Sequence, residues 1–237
     1  SNRQTPDDFA WEEDGGGAVC ASGATIRLEK CVFETNDALA GGALNVSGGA
    51  LEALACVFRY NTAGTGGAVY AASDATLVLT NVLGVGNTAA AYAFLAMNWE
   101  CEATLTHCTV QNSLSGNNRD VLAAGSLCLY NSILTGQYEG TPTAVEYSCT
   151  AQDSSALGSG NLVADPLTTP GGYLLATSPC RDTAGATFAT ATDRDGTQRP
   201  AGDGPDMGCH EFLDSDDDGI PDCVEAAAGL DPENPDD

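Results

Sequence analysis

Basic and aromatic side chains are scarce in this chain of 237 residues. Lysine and arginine together number 8 against 33 aspartates and glutamates, which gives a formal charge of −25, and aromatic residues make up 6%. Duplex nucleic acid and anionic membrane surfaces repel a surface of this charge. The sequence also has no apolar run long enough to cross a bilayer. We therefore expect no nucleic-acid partner and no membrane insertion, whereas divalent cations should be attracted.

The sequence also lacks any Cys-x-x-Cys pair, although it contains 10 cysteines. This absence argues against zinc sites and thioredoxin-like redox motifs. An even number of cysteines this large is typical of proteins from oxidising compartments. We therefore expect a secreted or cell-surface protein whose export signal was removed before Ser1.

What the chain does have is a repeat. Gly-Gly-Ala triplets begin at Gly16, Gly41 and Gly66, which are 25 residues apart. A period in this range indicates a solenoid built from stacked units. Apolar and polar residues alternate within the units, as in the run Ile-Arg-Leu-Glu at 26–29, which is the pattern of a half-buried strand. We therefore predict an all-β stack of coils in which the alanines of the three triplets lie in register.

Asparagine recurs in the same units, at Asn36, Asn61 and Asn87. Asparagine tolerates left-handed backbone and hydrogen-bonds to its own main chain, so it suits a turn that occurs once per coil. Stacked asparagines also pair amide to amide in other stacked β-structures. The recurrence therefore predicts an asparagine ladder between coils.

The order of these features resembles a known family. The run Gly-Gly-Ala-[Val/Leu], followed by Cys-Val-Phe and then by Asn, is similar to the polymorphic outer-membrane repeats of pectin-lyase-like proteins. The resemblance implies a right-handed parallel β-helix of about five to six coils over residues 14–150. Residues 1–13 would then form an N-terminal lead-in.

Residues 151–212 resemble the C-terminal cap of bacterial surface β-helix proteins of the choice-of-anchor type. The similarity rests on Ser-Pro-Cys-Arg-Asp at 178–182, Asp-Arg-Asp-Gly at 193–196 and Gly-Cys-His-Glu at 208–211. That family has alanines where this chain has Cys180 and Cys209, and two replacements at matched sites imply a disulfide between them.

Two further cysteine pairs come into question. Cys101 and Cys108 flank a short excursion that a disulfide could close. Cys31 and Cys56 would stack on adjacent coils about 4.8 Å apart, within the Cα range of a disulfide. For the second pair, two buried thiols acting as small apolar residues are an equal alternative.

The last part of the chain, residues 213–237, carries a metal-binding pattern. Counted from Asp214, carboxylates occupy loop positions 1, 3, 5, 9 and 12, and glycine occupies position 6. This order matches a twelve-residue calcium loop, in which position 7 supplies a backbone carbonyl and position 12 a bidentate acid. The predicted Ca²⁺ ligands are Asp214, Asp216, Asp218, Ile220, Asp222 and Glu225. The motif resembles thrombospondin type 3-like calcium repeats, and the alternative is a solvated acidic tail.

Signatures of catalysis are weak. The pectin-lyase-like resemblance implies that a lyase would need a basic residue near bound calcium, and a hydrolase would need paired carboxylates. Asp193 and Asp195 form such a pair, but they fall in the cap, where structural turns are the expected role. His107 is expected to decorate a strand and His210 to be structural. We therefore expect no enzymatic activity.

These features predict a structural or adhesive extracellular protein, such as a surface spacer, an adhesin module or a fibre subunit, stabilised by disulfides and Ca²⁺. A stack of coils has unpaired strand edges at its two ends, so self-association into an oligomer or fibre is expected. A cell-surface glycan or protein is a further candidate partner. The alternative is a polysaccharide-binding protein, or a polysaccharide lyase or hydrolase, that uses one long face of the β-helix.

Overall fold

A computed structural model describes residues 16–111 and 119–235, and the lead-in predicted at residues 1–13 lies outside them. The described chain is a parallel β-solenoid followed by irregular segments and one α-helix. The structure therefore confirms the all-β class and the parallel stacking that the repeat predicts. Among the described residues, no helix is long and apolar enough to cross a membrane.

The strands are short, as expected of a solenoid that turns several times per winding. In chain order they are β1 Val19–Glu29, β2 Val32–Glu34, β3 Asp37–Ala40, β4 Leu44–Leu54, β5 Val57–Arg59, β6 Thr62–Thr65, β7 Val69–Ala72, β8 Thr76–Thr80, β9 Leu83–Val85, β10 Thr88–Ala89, β11 Leu95–Met97, β12 Glu102–Thr106, β13 Thr109–Gln111, β14 Arg119–Ala123, β15 Ser126–Tyr130, β16 Ile133–Leu134, β17 Gln137–Gly140, β18 Ala144–Glu146 and β19 Cys149–Thr150. Two 3₁₀ turns, Ser155–Leu157 and Ala186–Phe188, and helix α1, Asp222–Ala228, follow.

The windings build three parallel sheets. The first has ten strands in the order β17-β14-β11-β7-β4-β8-β12-β15-β18, with β1 beside β4. The second has the order β19-β16-β13-β9-β5-β2, and the third has the order β10-β6-β3. The long strand β4 pairs with both β7 and β8 because the next winding is broken at Ser73 and Asp74, where φ is positive. The first sheet is therefore two strips that meet at a bend.

The Gly-Gly-Ala triplets form the turn that enters each early winding. Their first glycines have left-handed φ values of 88°, 64° and 59° in the three windings, which glycine adopts without strain. A Cβ atom on the second glycine, Gly42, would lie 2.1 Å from the Gly67 carbonyl oxygen of the next winding. The Ala18 N–H donates to the Ala43 carbonyl, and the Ala43 N–H donates to the Ala68 carbonyl, each at 3.0 Å. The predicted register of the three alanines is therefore confirmed.

The predicted asparagine ladder is also confirmed. Asn36 Nδ2 donates to Asn61 Oδ1 at 2.8 Å, and Asn61 Nδ2 donates to Asn87 Oδ1 at 2.9 Å. The backbone N–H groups of Asn36 and Asn61 donate to the same two oxygens, at 3.0 and 3.1 Å. Both inner asparagines are fully buried, so the ladder satisfies polar groups that would otherwise be desolvated at a cost.

The hydrophobic core runs along the inside of the solenoid. Leu77 and Leu79 of β8 point inward and are fully buried, whereas Val78 between them is 41% exposed, as strand alternation requires. Phe58 stacks on Phe33 of the preceding winding at 5.0 Å between ring centroids. Side chains thus stack from winding to winding, and each winding buries its apolar face against its neighbours.

The solenoid has about four full turns, fewer than the five to six coils predicted. The late windings are incomplete, because they are shorter and, within the described ranges, do not pass through the third sheet. Stacked residues are 26 positions apart between β8 and β12, 24 apart between β12 and β15, and only 16 apart between β16 and β19. Among the described residues, the late windings add strands to the first two sheets but none to the third.

The segment predicted as a cap extends the stack and then turns back along its side. Leu162 bridges to Cys149, and Asn161 Oδ1 accepts from the Ser148 N–H at 3.1 Å, so residues near 161 lie under the last winding. Residues 166–212, here called the flank segment, then contact the side of the solenoid. Asn81 Nδ2 donates to the Thr192 carbonyl at 2.9 Å, in a winding far from the C-terminal end.

The flank segment covers the later part of one column of turn residues, from Asn81 onward. The residues of this column follow the first sheet in successive windings and all have positive φ: Lys30, Ala55, Asn81, His107, Asn131 and Tyr147. The prediction that His107 decorates a strand is therefore wrong. His107 lies in the turn between β12 and β13 with φ of 49°, and it is fully buried because the flank segment lies over it.

The structure contains none of the predicted disulfides, because all ten cysteines are free thiols. Cys180 packs with Cys149 in one apolar cluster, whereas Cys209 lies in another cluster with Val57 and Leu83. The family resemblance on which the Cys180–Cys209 pair rested gave no information on these contacts.

The other two predicted pairs also exist as thiols. Cys101 and Cys108 lie at opposite ends of the five-residue strand β12, which spans about 17 Å. This separation is well beyond the reach of a disulfide. Cys31 and Cys56 stack on adjacent windings, and burial raises the pKa of Cys56. In this pair Cys56 is buried and Cys31 is half-buried, and both are thiols.

Candidate calcium site

The predicted calcium loop is closed by its own backbone. The Asp222 N–H donates to the Leu213 carbonyl at 2.8 Å, which brings the two ends of the loop together. Asp217 and Gly219 adopt left-handed backbone, with φ of 62° and 94°. Glycine allows the sharp turn at the sixth position of the loop. The chain then passes directly into helix α1.

Three carboxylates of the loop converge. One carboxylate oxygen from each of Asp214, Asp216 and Asp218 lies within 4.8 Å of the others. Backbone donors hold all three groups. Gly219 N–H donates to Asp214 Oδ2 at 3.0 Å, Asp218 N–H donates to Asp216 Oδ1 at 3.2 Å, and Ile220 N–H donates to Asp218 Oδ1 at 2.6 Å. Asp214 Oδ1 and Asp216 Oδ2 are enclosed and accept no hydrogen bond from the described residues. Enclosed carboxylate oxygens without donors fit a hard cation such as Ca²⁺.

The electrostatics of the loop point the same way. Burial raises the pKa of Asp216, and the negative charges of Asp218 and Asp214 raise it further, although the Asp218 N–H opposes this by hydrogen bonding. Like charges at short range disfavour the ionised form of each other. A divalent cation between the three carboxylates would remove this repulsion.

The other three predicted ligands are placed differently. Asp222 accepts two hydrogen bonds from Ser215, one from its N–H and one from its hydroxyl, each at 2.7 Å. Ile220 is half-buried beside the carboxylates, and Glu225 lies in the first turn of α1 and is fully buried. The structure therefore brings three of the six predicted ligands together, and it uses Asp222 to hold the loop.

Cys223 of helix α1 lies near the flank segment. Burial, followed by the charge of Asp195, raises the pKa of the Cys223 thiol to about 11. Burial of the phenol, followed by the charges of Asp195 and Cys223, raises the pKa of Tyr173 to about 12. The helix that carries Glu225 therefore lies close to Asp195 and Tyr173.

A second polar cluster was only partly predicted. Asp193, Asp195 and His210 also offer atoms within 4.8 Å of one another. Asp193 Oδ1 already accepts from three backbone N–H groups, those of Asp195, Gly196 and Thr197, all at 2.8 Å, and its Oδ2 accepts from the Glu211 N–H at 2.9 Å. Four backbone donors occupy the Asp193 carboxylate, so its role is to fix a turn.

His210 completes this cluster as a buried cation. Its Nδ1 lies 3.0 Å from Asp195 Oδ2, and its ring stacks on Tyr173 at 3.9 Å. Burial alone would lower the pKa of His210, but the charges of Cys209 and Asp195 raise it to about 9. Burial would raise the pKa of Cys209, but His210 lowers it. Because Cys209 is fully buried, its sulfur is enclosed by the protein and serves the packing of this region.

Sequence reasoning identified Asp193 and Asp195 as a pair, but it did not predict that His210 lies beside them. Their positions in two separate motifs, at 193–196 and 208–211, gave no sign that they meet. No family model, curated protein or solved structure matches this chain.

Proposed function

We propose that this protein is an extracytoplasmic structural or adhesive β-solenoid whose C-terminal loop binds Ca²⁺. The observation that carries the proposal is the convergence of Asp214, Asp216 and Asp218 in a closed loop, with two enclosed oxygens that accept no hydrogen bond from the described residues. Calcium coordinates six to eight hard oxygens, and this loop supplies them at the right sequence spacing. In the proposed site, the Ile220 carbonyl and the carboxylates of Asp222 and Glu225 complete the ligand set.

The structural role rests on the solenoid itself. Its windings are joined by continuous backbone ladders and by the asparagine ladder. In the proposal, this rigid rod serves as a spacer, an adhesin module or a fibre subunit. It presents its surface to a cell-surface glycan or protein, or its ends to further copies, and it carries out no catalysis. A surface of formal charge −25 is suited to a medium rich in divalent cations.

Limited proteolysis tests the role of calcium in this proposal. We expect the chain to be cut within residues 213–235 faster in chelator than in millimolar Ca²⁺, because a ligand that binds only the folded loop stabilises it by mass action. Magnesium should protect poorly, since it requires a smaller octahedral cage and retains its waters. Protease digestion followed by mass spectrometry locates the cuts.

Two variants make this experiment specific. Asp216→Asn should lose most of the protection by Ca²⁺. Glu233→Gln changes one exposed acid outside the loop and should retain it. If the wild-type loop is cut equally fast in Ca²⁺ and in chelator, the segment is only a solvated acidic tail and the proposal fails.

A further inference from the structure

Two cysteines from distant parts of the chain meet in a buried cluster. Cys149 begins strand β19 and is 1% exposed, and Cys180 lies in the flank segment and is 0% exposed. They share an apolar cluster with Met207 and Phe212, and each thiol is the largest influence on the pKa of the other. We propose that Cys149 and Cys180 form a disulfide that fastens the flank segment to the last winding of the solenoid.

The backbone on both sides is already fixed. Cys149 is paired with Ile133 in β16 and bridges to Leu162. The Cys180 N–H donates to Ser178 Oγ at 3.1 Å, and the Cys180 carbonyl accepts from the Met207 N–H at 3.0 Å. A disulfide forms without strain only when the two side chains already face each other. Thiols in mutual contact on two fixed backbones meet this requirement.

None of the cysteine pairs predicted from the sequence joins two distant parts of the chain within one buried cluster. Cys209 lies in a separate cluster from Cys180. Cys31 and Cys56 join neighbouring windings that the backbone ladder already holds together, so a bond between them would add little. The Cys149–Cys180 bond would instead close 31 positions of mostly irregular chain, where a covalent constraint removes the most unfolded-state freedom.

The reaction is thiol–disulfide exchange with a small-molecule disulfide such as oxidised glutathione. The Cys149 thiolate attacks one sulfur of that disulfide and releases one small thiolate, which takes up the proton lost by Cys149. The Cys180 thiolate then attacks the Cys149 sulfur of the mixed disulfide and releases the second small thiol. The protein loses two electrons and two protons, and the small disulfide gains both.

Both sulfurs are buried in the folded protein, so the exchange takes place before the flank segment docks, while the two thiols are accessible. The same products form if Cys180 attacks first and Cys149 resolves the mixed disulfide. Once the flank segment has docked, reductant reaches the bond only when the protein unfolds.

Peptide mapping of the full chain, refolded with reduced and oxidised glutathione, tests the proposal without reference to calcium or to cellular location. Free thiols are blocked with N-ethylmaleimide in denaturant, and the digest is analysed by mass spectrometry without reduction. We expect one cross-linked species that contains Cys149 and Cys180. Recovery of either cysteine as a blocked thiol, or in a bond with another cysteine such as Cys209, would overturn the proposal.

Thermal unfolding provides a second readout. Reductant should lower the unfolding midpoint of the refolded wild type by on the order of 10 °C. The double variant Cys149→Ser with Cys180→Ser should not respond to reductant, whereas Cys31→Ser with Cys56→Ser should respond as the wild type does. A wild type whose midpoint is unchanged by reductant would contradict the bond even if the double variant failed to fold.

Discussion

A single histidine shows how the flank segment and the solenoid are matched atom by atom. His107 Nδ1 lies 3.2 Å from the Gly208 carbonyl, and Asn131 Nδ2 lies 3.0 Å from His107 Nε2. The Asn131 amide is oriented by Gly185, whose N–H donates to its Oδ1 and whose carbonyl accepts from its Nδ2. A carbonyl on one side and an amide donor on the other require a neutral imidazole with its proton on Nδ1.

This requirement predicts a loss of stability in acid. Burial, followed by the charge of Arg199, lowers the pKa of His107 to about 3, whereas an unfolded histidine has a pKa of about 6.5. His107 therefore contributes stability above about pH 6.5, and this contribution is lost as the pH falls toward 3 because only the unfolded chain takes up the proton. At pH 4 we expect the loss to be roughly 3 kcal/mol.

His107→Gln is the variant that isolates this effect, since glutamine offers a donor and an acceptor but does not titrate. Urea unfolding at pH 7 and at pH 4 should show a smaller decrease in the free energy of unfolding for the variant than for the wild type. Equal decreases in the two proteins would show that His107 is not held neutral.

At the scale of the element, the repeating unit is a winding whose turns stack on the same turns of its neighbours. The asparagine turn is the clearest case, because each inner asparagine is satisfied only when the next winding is present. Asn61 both accepts from Asn36 and donates to Asn87 and to the Phe33 carbonyl. The ladder therefore couples three windings through one buried row of amides.

Removing the middle of this row should cost more than removing its end. Asn61→Ala leaves buried donors and acceptors on both sides without partners, and we expect it to lower the free energy of unfolding by about 2–4 kcal/mol. Asn36→Ala, at the half-buried N-terminal end of the row, should cost about 1 kcal/mol. Chemical denaturation of the two variants measures the difference, and equal costs would mean that the amides do not act as a ladder.

The sequence predicted those features that repeat along it. Gly16, Gly41 and Gly66 recur at one period, and so do the asparagines, because contacts between adjacent windings join residues of equal position in the unit. Contacts between the repeat and the rest of the chain have no such periodic signal in the sequence. The meeting of His107 with Gly208 joins residues 101 positions apart.

The part of the candidate site that was predicted is the part formed by residues close together in the sequence. The sequence spacing alone identified Asp214, Asp216 and Asp218. A loop of this length brings their side chains together once Gly219 allows the turn. The hydrogen bonds between Asp222 and Ser215 were not predicted, since ligand spacing carries no information on which carboxylates also accept hydrogen bonds within the loop. The predicted pairing of Cys180 with Cys209 is wrong because tertiary packing, which position in a motif does not determine, places the two residues in separate clusters.

At the scale of the whole molecule, three parts depend on one another in series. The solenoid presents its column of turn residues, the flank segment covers the later part of this column, and α1 with the acidic loop follows the flank segment in the chain and lies near it. The proposed disulfide would secure the first junction, and the proposed Ca²⁺ would order the last part. Changes at either place should therefore affect the C-terminal third more than the solenoid.

Calorimetric titration of Ca²⁺ into chelator-treated full-length protein tests the central claim most directly. The account predicts saturable binding of one Ca²⁺, strongly weakened by Glu225→Gln, which removes the charge of the predicted bidentate ligand, and unchanged by Glu233→Gln. The absence of binding heat at millimolar Ca²⁺, or equal binding by the wild type and Glu225→Gln, would contradict it.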